Sequence, residues 1–283
     1  MSDDNRKIGP VYRLISQDLY ATDLHSDEMG MRQAEIWRAK SRQFSKDAEI
    51  IGKITEAYRK SHKDDMPELE KEGFIILRDS LWNNAPDELS RRLVLKLFSN
   101  KGGWIATLEE MVAEEYALSF TSGLPIVSFV VMTKENEIIT HIRQTLKGAF
   151  GMESFSFYLL GPNNTFDVFR IERKRVSAGT DYKVIRLKGK EEVAEIDSKL
   201  GDIGGEFQVK IKDPVLAKNQ WFCRILQCFA VMNRYRDDIK EKVENGLKKW
   251  SKGKIKPVMD RYEVSLLANP RKLSLSLEEL DNI

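Results

Sequence analysis

Residues 213–232 read DPVLAKNQWFCRILQCFAVM, and this stretch governs how the rest of the chain is read. Asp213 can cap a helix and Pro214 suits its first position. From Val215 to Met232 apolar side chains point in nearly every direction, leaving one polar stripe of Gln220, Arg224 and Gln227. A helix that is apolar around most of its circumference is buried on most sides. The expected arrangement is a long helix laid across a sheet. Past Asn233 the pattern becomes amphipathic, with Ile239, Val243, Leu247 and Trp250 on one side, until Gly253 and Pro257 stop it.

The sheet is read from the residues just upstream. Phe207, Val209 and Ile211 alternate with Gln208, Lys210 and Lys212, the period of a strand with one buried face. Phe155, Phe157 and Leu159 alternate in the same way. Strands are also expected over 166–173 and 182–188, with Gly161-Pro162-Asn163-Asn164 as a turn. The acidic run Glu191 to Asp197 reads as a helical insert. Pro125 to Met132 reads as a buried strand. Thr133 then caps an expected helix carrying Ile138, Ile142, Leu146 and Ala149. A last strand is expected around Tyr262–Leu267.

The front of the chain reads differently. Residues 1–27 read as a mobile arm with a short helix around Val11–Leu19. From Asp27 to Lys60 the pattern is helical, with Trp37, Phe44, Ile51 and Tyr58 seven residues apart in a heptad-like stripe. Those four form a candidate partner-binding or self-association surface. Gly73 to Leu77 fits a short strand or one buried helical turn. A helix is expected from Pro86 to Phe98. Another, opened by the capping box Thr107-Leu108-Glu109-Glu110, runs to Leu118. The expected fold class is α+β: a helical N-terminal region (28–120), then an antiparallel sheet packed on a long buried helix (121–283).

Composition narrows the function. With 41% apolar residues and 46 basic against 44 acidic side chains, the chain folds rather than staying disordered. The near balance hides an asymmetry, since residues 1–120 carry 18 basic and 22 acidic side chains and residues 121–283 carry 28 and 22. Cys223 and Cys228 lie five residues apart on one helix and so point about 140° away from each other, which forbids pairing. That fits a reducing compartment. No apolar run after Met1 forms a secretory signal, and Trp221 to Met232 is too short to span a bilayer. The expectation is an intracellular, cytoplasmic chain, neither secreted nor transmembrane, with nuclear import as one use of its basic runs.

Motifs of chemistry are missing. The sequence holds no phosphate-binding loop, dinucleotide glycine fingerprint, serine elbow, Cys-x-x-Cys or His-Glu-x-x-His. Among three histidines, His25 and His62 sit in polar segments and His141 has no partner by spacing. Glu110 and Glu114, four apart, read as a solvated acidic face. No catalytic residue, metal ligand or cofactor is expected. Two basic clusters are the stronger signal. Arg170, Arg173, Lys174 and Arg175 face Lys183, Arg186 and Lys188 on the next strand. Lys248, Lys249, Lys252, Lys254 and Lys256 surround Trp250. Unpaired lysines and arginines grip phosphate backbones, aromatics stack on bases, and anionic lipid surfaces attract the same residues.

The expectation is a non-enzymatic binding or assembly protein. Its C-terminal basic face would engage nucleic acid, or an anionic membrane surface in the manner of a viral matrix or nucleocapsid protein, and its N-terminal helix would make protein contacts. The alternatives are a partner-binding regulator without a polyanion ligand and an enzyme with Arg224 and Gln227 facing Tyr182 or Glu263.

Overall fold

The computed structural model describes residues 10–19, 48–61, 63–147, 152–160, 166–174, 181–199, 205–254 and 263. Twelve antiparallel strands follow one another around a closed barrel: β1 (Arg13–Leu19), β2 (Ala48–Tyr58), β3 (Glu70–Arg78), β4 (Val94–Ser99), β5 (Trp104–Glu110), β6 (Ser128–Thr133), β7 (Asn136–Lys147), β8 (Met152–Leu160), β9 (Phe166–Arg173), β10 (Tyr182–Arg186), β11 (Glu191–Lys199) and β12 (Glu206–Ile211). Each pairs with its neighbours in sequence, and β1 closes on β12 with Arg13 opposite Ile211 and Ile15 opposite Val209. Among the described residues four α-helices accompany the strands: α1 (Asp79–Trp82), α2 (Val112–Ser122), α3 (Gln220–Met232) and α4 (Arg236–Ser251).

A barrel's diameter grows with strand number, and inward side chains fill the lumen unaided only at about eight strands. Twelve strands therefore need something more inside, and α3 supplies it. Every residue from Trp221 to Met232 is buried. The helix touches the wall all round. Gln17 of β1 donates to the Gln227 carbonyl at 3.0 Å, Arg224 reaches Glu72 of β3 at 2.6 Å, and Trp221 Nε1 donates to Thr140 of β7 at 3.0 Å. Phe222 packs on Phe157 and Phe169, and Phe229 packs edge-on against Phe155 and Tyr182. The all-round apolar pattern is thus matched by a wall that surrounds the helix, where the sequence suggested a sheet beneath it.

The direction of α3 follows from its ends. Arg13, at the start of β1, donates to the Ala217 carbonyl and to Gln220, so the helix enters where odd-numbered strands begin. Asn233 binds Tyr182, and Arg236 binds Tyr182 and Glu153, so it leaves where β8 and β10 begin. Asp213 accepts from the amides of Val215 and Leu216 and starts only a 3₁₀ turn. The cap of α3 is Asn219, whose side chain accepts from the Phe222 amide at 3.1 Å.

The expected α+β class with a helical N-terminal region is overturned, because β2 to β5 occupy that region, and β1 stands where a short helix was expected around Val11–Leu19. β2 lies where the heptad helix was expected. Bulges explain the misreading: the register with β3 shifts between Ile50 and Gly52 and again between Ile54 and Thr55. An extra residue in a strand breaks the two-residue alternation. Ile51 and Ile54, three apart, then both join the core and imitate a helical stripe. β7 misleads in another way, since Ile138, Ile142 and Leu146 are four apart and that spacing satisfies both periods. The acidic run is β11, with Val193, Ala194 and Ile196 buried and its acids paired outside. Thr107 lies on β5 and accepts from Trp104 Nε1, so it caps nothing; α2 starts at Val112. The Pro86–Phe98 helix is replaced by turns leading into β4.

Candidate binding surface beside helices α2 and α4

α2 joins β5 to β6 at the end of the barrel where α3 emerges, and α4 packs against it. Their approach depends on Gly246, where a Cβ would sit 2.2 Å from the Tyr116 hydroxyl oxygen. One helical turn beyond that contact on each helix stand Phe120 and Trp250, stacked at 4.1 Å between centroids and 27°. Gly123 ends α2 with φ of 70°, in the left-handed region that favours glycine, and Leu124 follows. Phe120 is 61% exposed and Leu124 48%. Lys248, Lys252 and Lys254 are exposed beside Trp250 and have no ion pair among the described residues, whereas Lys249 binds Glu88 at 2.8 Å. The tip formed by the C-terminal ends of α2 and α4 thus joins protruding apolar groups to three free cations.

The first basic cluster is arranged otherwise. Lys183 lies opposite Glu172 and binds it at 3.4 Å, and Arg170 binds the same carboxylate at 2.5 Å. Arg186 is shared by Asp167, Asp213 and Glu191. Lys174 meets Asp197 at 2.8 Å and Glu195 at 3.6 Å. Burial opposes these charges, yet the ion pairs outweigh it, raising Lys174 and lowering Asp197 from their ordinary values. The wall cluster is neutralised in place. Arg173 and Lys188 are exposed without an ion pair among the described residues. Arg175 and Lys256 lie outside the described residues. With charges outside and apolar residues inside, this stretch of wall has the reverse of a membrane barrel's polarity.

Of the expected partner-binding stripe, the two described residues do not form an exposed surface. Ile51 is 8% exposed and in the core, Tyr58 packs against that core, and Trp37 and Phe44 lie outside the described residues. Of the residues of the enzyme alternative, Arg224 and Gln227 bind each other, while Tyr182 and Glu263 are bound elsewhere. Arg224 binds Gln227 and Glu72, the Tyr182 hydroxyl binds Asn233 and Arg236, and Glu263 accepts from the Ala113 and Glu114 amides at the start of α2. A cavity of about 360 Å³ lies outside the lumen, between Trp82, Asn83, Ala85, Asp87, Glu88 and Arg91. Arg91 covers the Trp82 ring at 4.1 Å.

Sequence reading found the α4 lysines and Trp250 but missed Phe120 and Leu124. A Phe near a helix end reads as ordinary core; only Gly123 signalled the turn that leaves both residues outside. Glu110 was also misjudged, since it is fully buried and paired with Lys242.

These features define a class by architecture: a twelve-stranded antiparallel barrel filled by its own helix, with an amphipathic tip at one end. In comparison with known families, curated proteins and solved structures, the chain matches none of them. No helix among the described residues is long and apolar enough to cross a membrane.

Proposed function

We propose that this protein is a non-enzymatic binding module whose α2–α4 tip docks on an anionic membrane surface. The observation that supports this reading most is the pairing of free Lys248, Lys252 and Lys254 with exposed Phe120 and Leu124 on one tip, whereas Arg170, Lys174, Lys183 and Arg186 of the other basic cluster are held by acids. Lysines near an anionic surface contribute about 1 kcal/mol each, so three supply about 3 kcal/mol, or roughly two decades of affinity. Trp250 suits the headgroup level, and Phe120 and Leu124 suit the layer beneath. Nucleic acid fits less well. Phe120 and Trp250 already cover one face of each other, and Leu124 has no ring to offer a base.

The test is binding of the purified chain to vesicles of neutral lipid, vesicles with added phosphatidylserine, single-stranded RNA and duplex DNA across a salt series. The expected result is salt-sensitive binding to the anionic vesicles, lowered about a hundredfold by Lys248→Glu, Lys252→Glu and Lys254→Glu together. Preference for RNA or DNA at equal salt would replace the membrane reading. Unchanged vesicle binding by the triple variant would remove the tip from the account.

A further inference from the structure

Three ionisable residues from three elements meet where α2 and α4 seat on the barrel. Glu110 ends β5, Glu115 lies in α2 and Lys242 in α4, and all three side chains are fully buried. Lys242 Nζ binds Glu110 Oε1 and the Arg91 carbonyl, and stands 4.0 Å from Glu115 Oε2. The second Glu110 oxygen accepts from the Leu93 amide at 2.7 Å, and Glu115 Oε1 accepts from the Ser128 amide at 2.9 Å. Glu115 Oε2 is buried and meets no donor. One cation therefore faces two carboxyl groups. With both ionised, a net negative charge would remain in a dry site, with an oxygen that accepts no hydrogen bond, and such a charge is costly to bury. A proton on Glu115 Oε2 removes both difficulties, because the acid can then donate to the Glu110 carboxylate.

We propose that this cluster is a proton-dependent latch, in which protonated Glu115 donates to Glu110 while Lys242 binds the same carboxylate, so that loss of the proton releases α2 and α4 from the barrel. The titration directions agree with the geometry. Burial, reinforced by the neighbouring Glu110 charge, holds Glu115 well above the usual carboxylate range. Burial also opposes the Glu110 charge, but Lys242 and the Leu93 amide outweigh it and hold that group below the range. The other charged groups around the cluster are committed elsewhere. Arg92 binds Glu109 and Glu263, Glu114 binds Arg143, and Lys249 binds Glu88. The Tyr116 hydroxyl donates to the Lys242 carbonyl at 3.5 Å, and burial raises its titration further above the ordinary tyrosine value. Asp87, held by the Ser90 amide, titrates below the usual range, and His141 is lowered by burial and by Arg143.

When the helices lift, Glu115 regains its ordinary acidity, so opening releases one proton. The opening constant then rises by up to about tenfold per pH unit above the ordinary Glu value and levels off once the closed form has lost its proton. Glu110, lowered in the closed form, acts only below that ordinary value and does not overlap.

Hydrogen exchange of the whole chain, resolved by segment and corrected for intrinsic rates, tests this between pH 6 and 9. Opening of α2 and α4 should rise with pH while β8 to β12 stay protected. Glu115→Gln, whose amide mimics the protonated acid, should make α2 and α4 insensitive to pH. An equal pH slope in wild type and Glu115→Gln overturns the latch, as does a flat wild-type profile. Infrared spectra of wild type with labelled glutamate give a check that needs no variant. A protonated-carboxyl band in the folded protein at pH 7 is expected, and its absence overturns the proposal.

Discussion

Replacing Phe229 by Ala tests whether α3 fills the barrel. Phe229 is fully buried, with the Phe155 ring at 4.9 Å and 73° and the Tyr182 ring at 5.2 Å and 88°. Removing a buried ring of this kind costs about 3–5 kcal/mol, and the range reflects how far the surroundings can collapse into the space. Here they cannot collapse far. Each strand is held by ladders on both sides, and α3 is enclosed on every side, so the loss should fall in the upper half of that range. Each edge-on pair adds about 0.5–1.5 kcal/mol beyond burial. Against a total stability of about 5–15 kcal/mol, this is severe. Phe166 is the control. It is 63% exposed on the outside of β9 and touches only Tyr158, at 5.5 Å, among the described rings, so its replacement by Ala should cost about 1 kcal/mol or less. Equilibrium urea unfolding followed by tryptophan fluorescence and far-UV circular dichroism compares the two. A loss for Phe229→Ala no greater than that for Phe166→Ala would refute a helix enclosed by the barrel.

Two further outcomes follow from the same packing. At Gly73 a Cβ would sit 1.9 Å from the Phe98 carbonyl oxygen of β4, so Gly73→Ala must part β3 from β4 and should cost about 1–3 kcal/mol or more in urea unfolding; a neutral substitution would contradict that approach. Burial pushes the Cys223 thiol up to about 11 and the Cys228 thiol higher still, so at pH 8 a thiol reagent should label neither cysteine in the folded chain and both in urea; rapid labelling of the folded chain would contradict an enclosed α3.

The sequence carried the buried body of α3 and the amphipathic face of α4, because burial on all sides and on one side leave different patterns, but it opened α3 at Asp213 instead of Gln220 and ran the two helices together. It also carried the regular strands β8, β9, β10 and β12. It could not carry the barrel. Closure depends on β1 pairing with β12, a contact across most of the chain that no local period encodes. The two misread strands have local causes. In β2 the bulges place core residues three apart, and in β7 the four-residue spacing of isoleucines serves strand and helix equally. Charged residues misled in a third way. Lys174, Lys183 and Arg186 read as a free basic face because their acids, Asp197, Glu172 and Asp213, are distant in sequence or counted within another element. Glu110 read as solvated because nothing in its own segment announces Lys242.

Ion pairing also bears on the proposed binding at the α2–α4 tip. A barrel whose lumen is filled by α3 offers no interior site of the kind that larger empty barrels use. A charged wall most of whose cations already hold carboxylates must break those pairs before gripping a polyanion with them, and partly buried pairs such as Lys212 with Glu192 and Glu195 resist that exchange. Free cations with exposed apolar neighbours occur together on the α2–α4 tip, whose two helices meet at Gly246 and are held to the barrel by the buried cluster around Lys242, with Glu263 linking the start of α2 to Arg92. Charge reversal at Arg170 and Lys183 should therefore disturb the wall's own pairing with Glu172 more than any affinity for anionic vesicles, whereas reversal at Lys248, Lys252 and Lys254 should lower that affinity and leave the barrel intact.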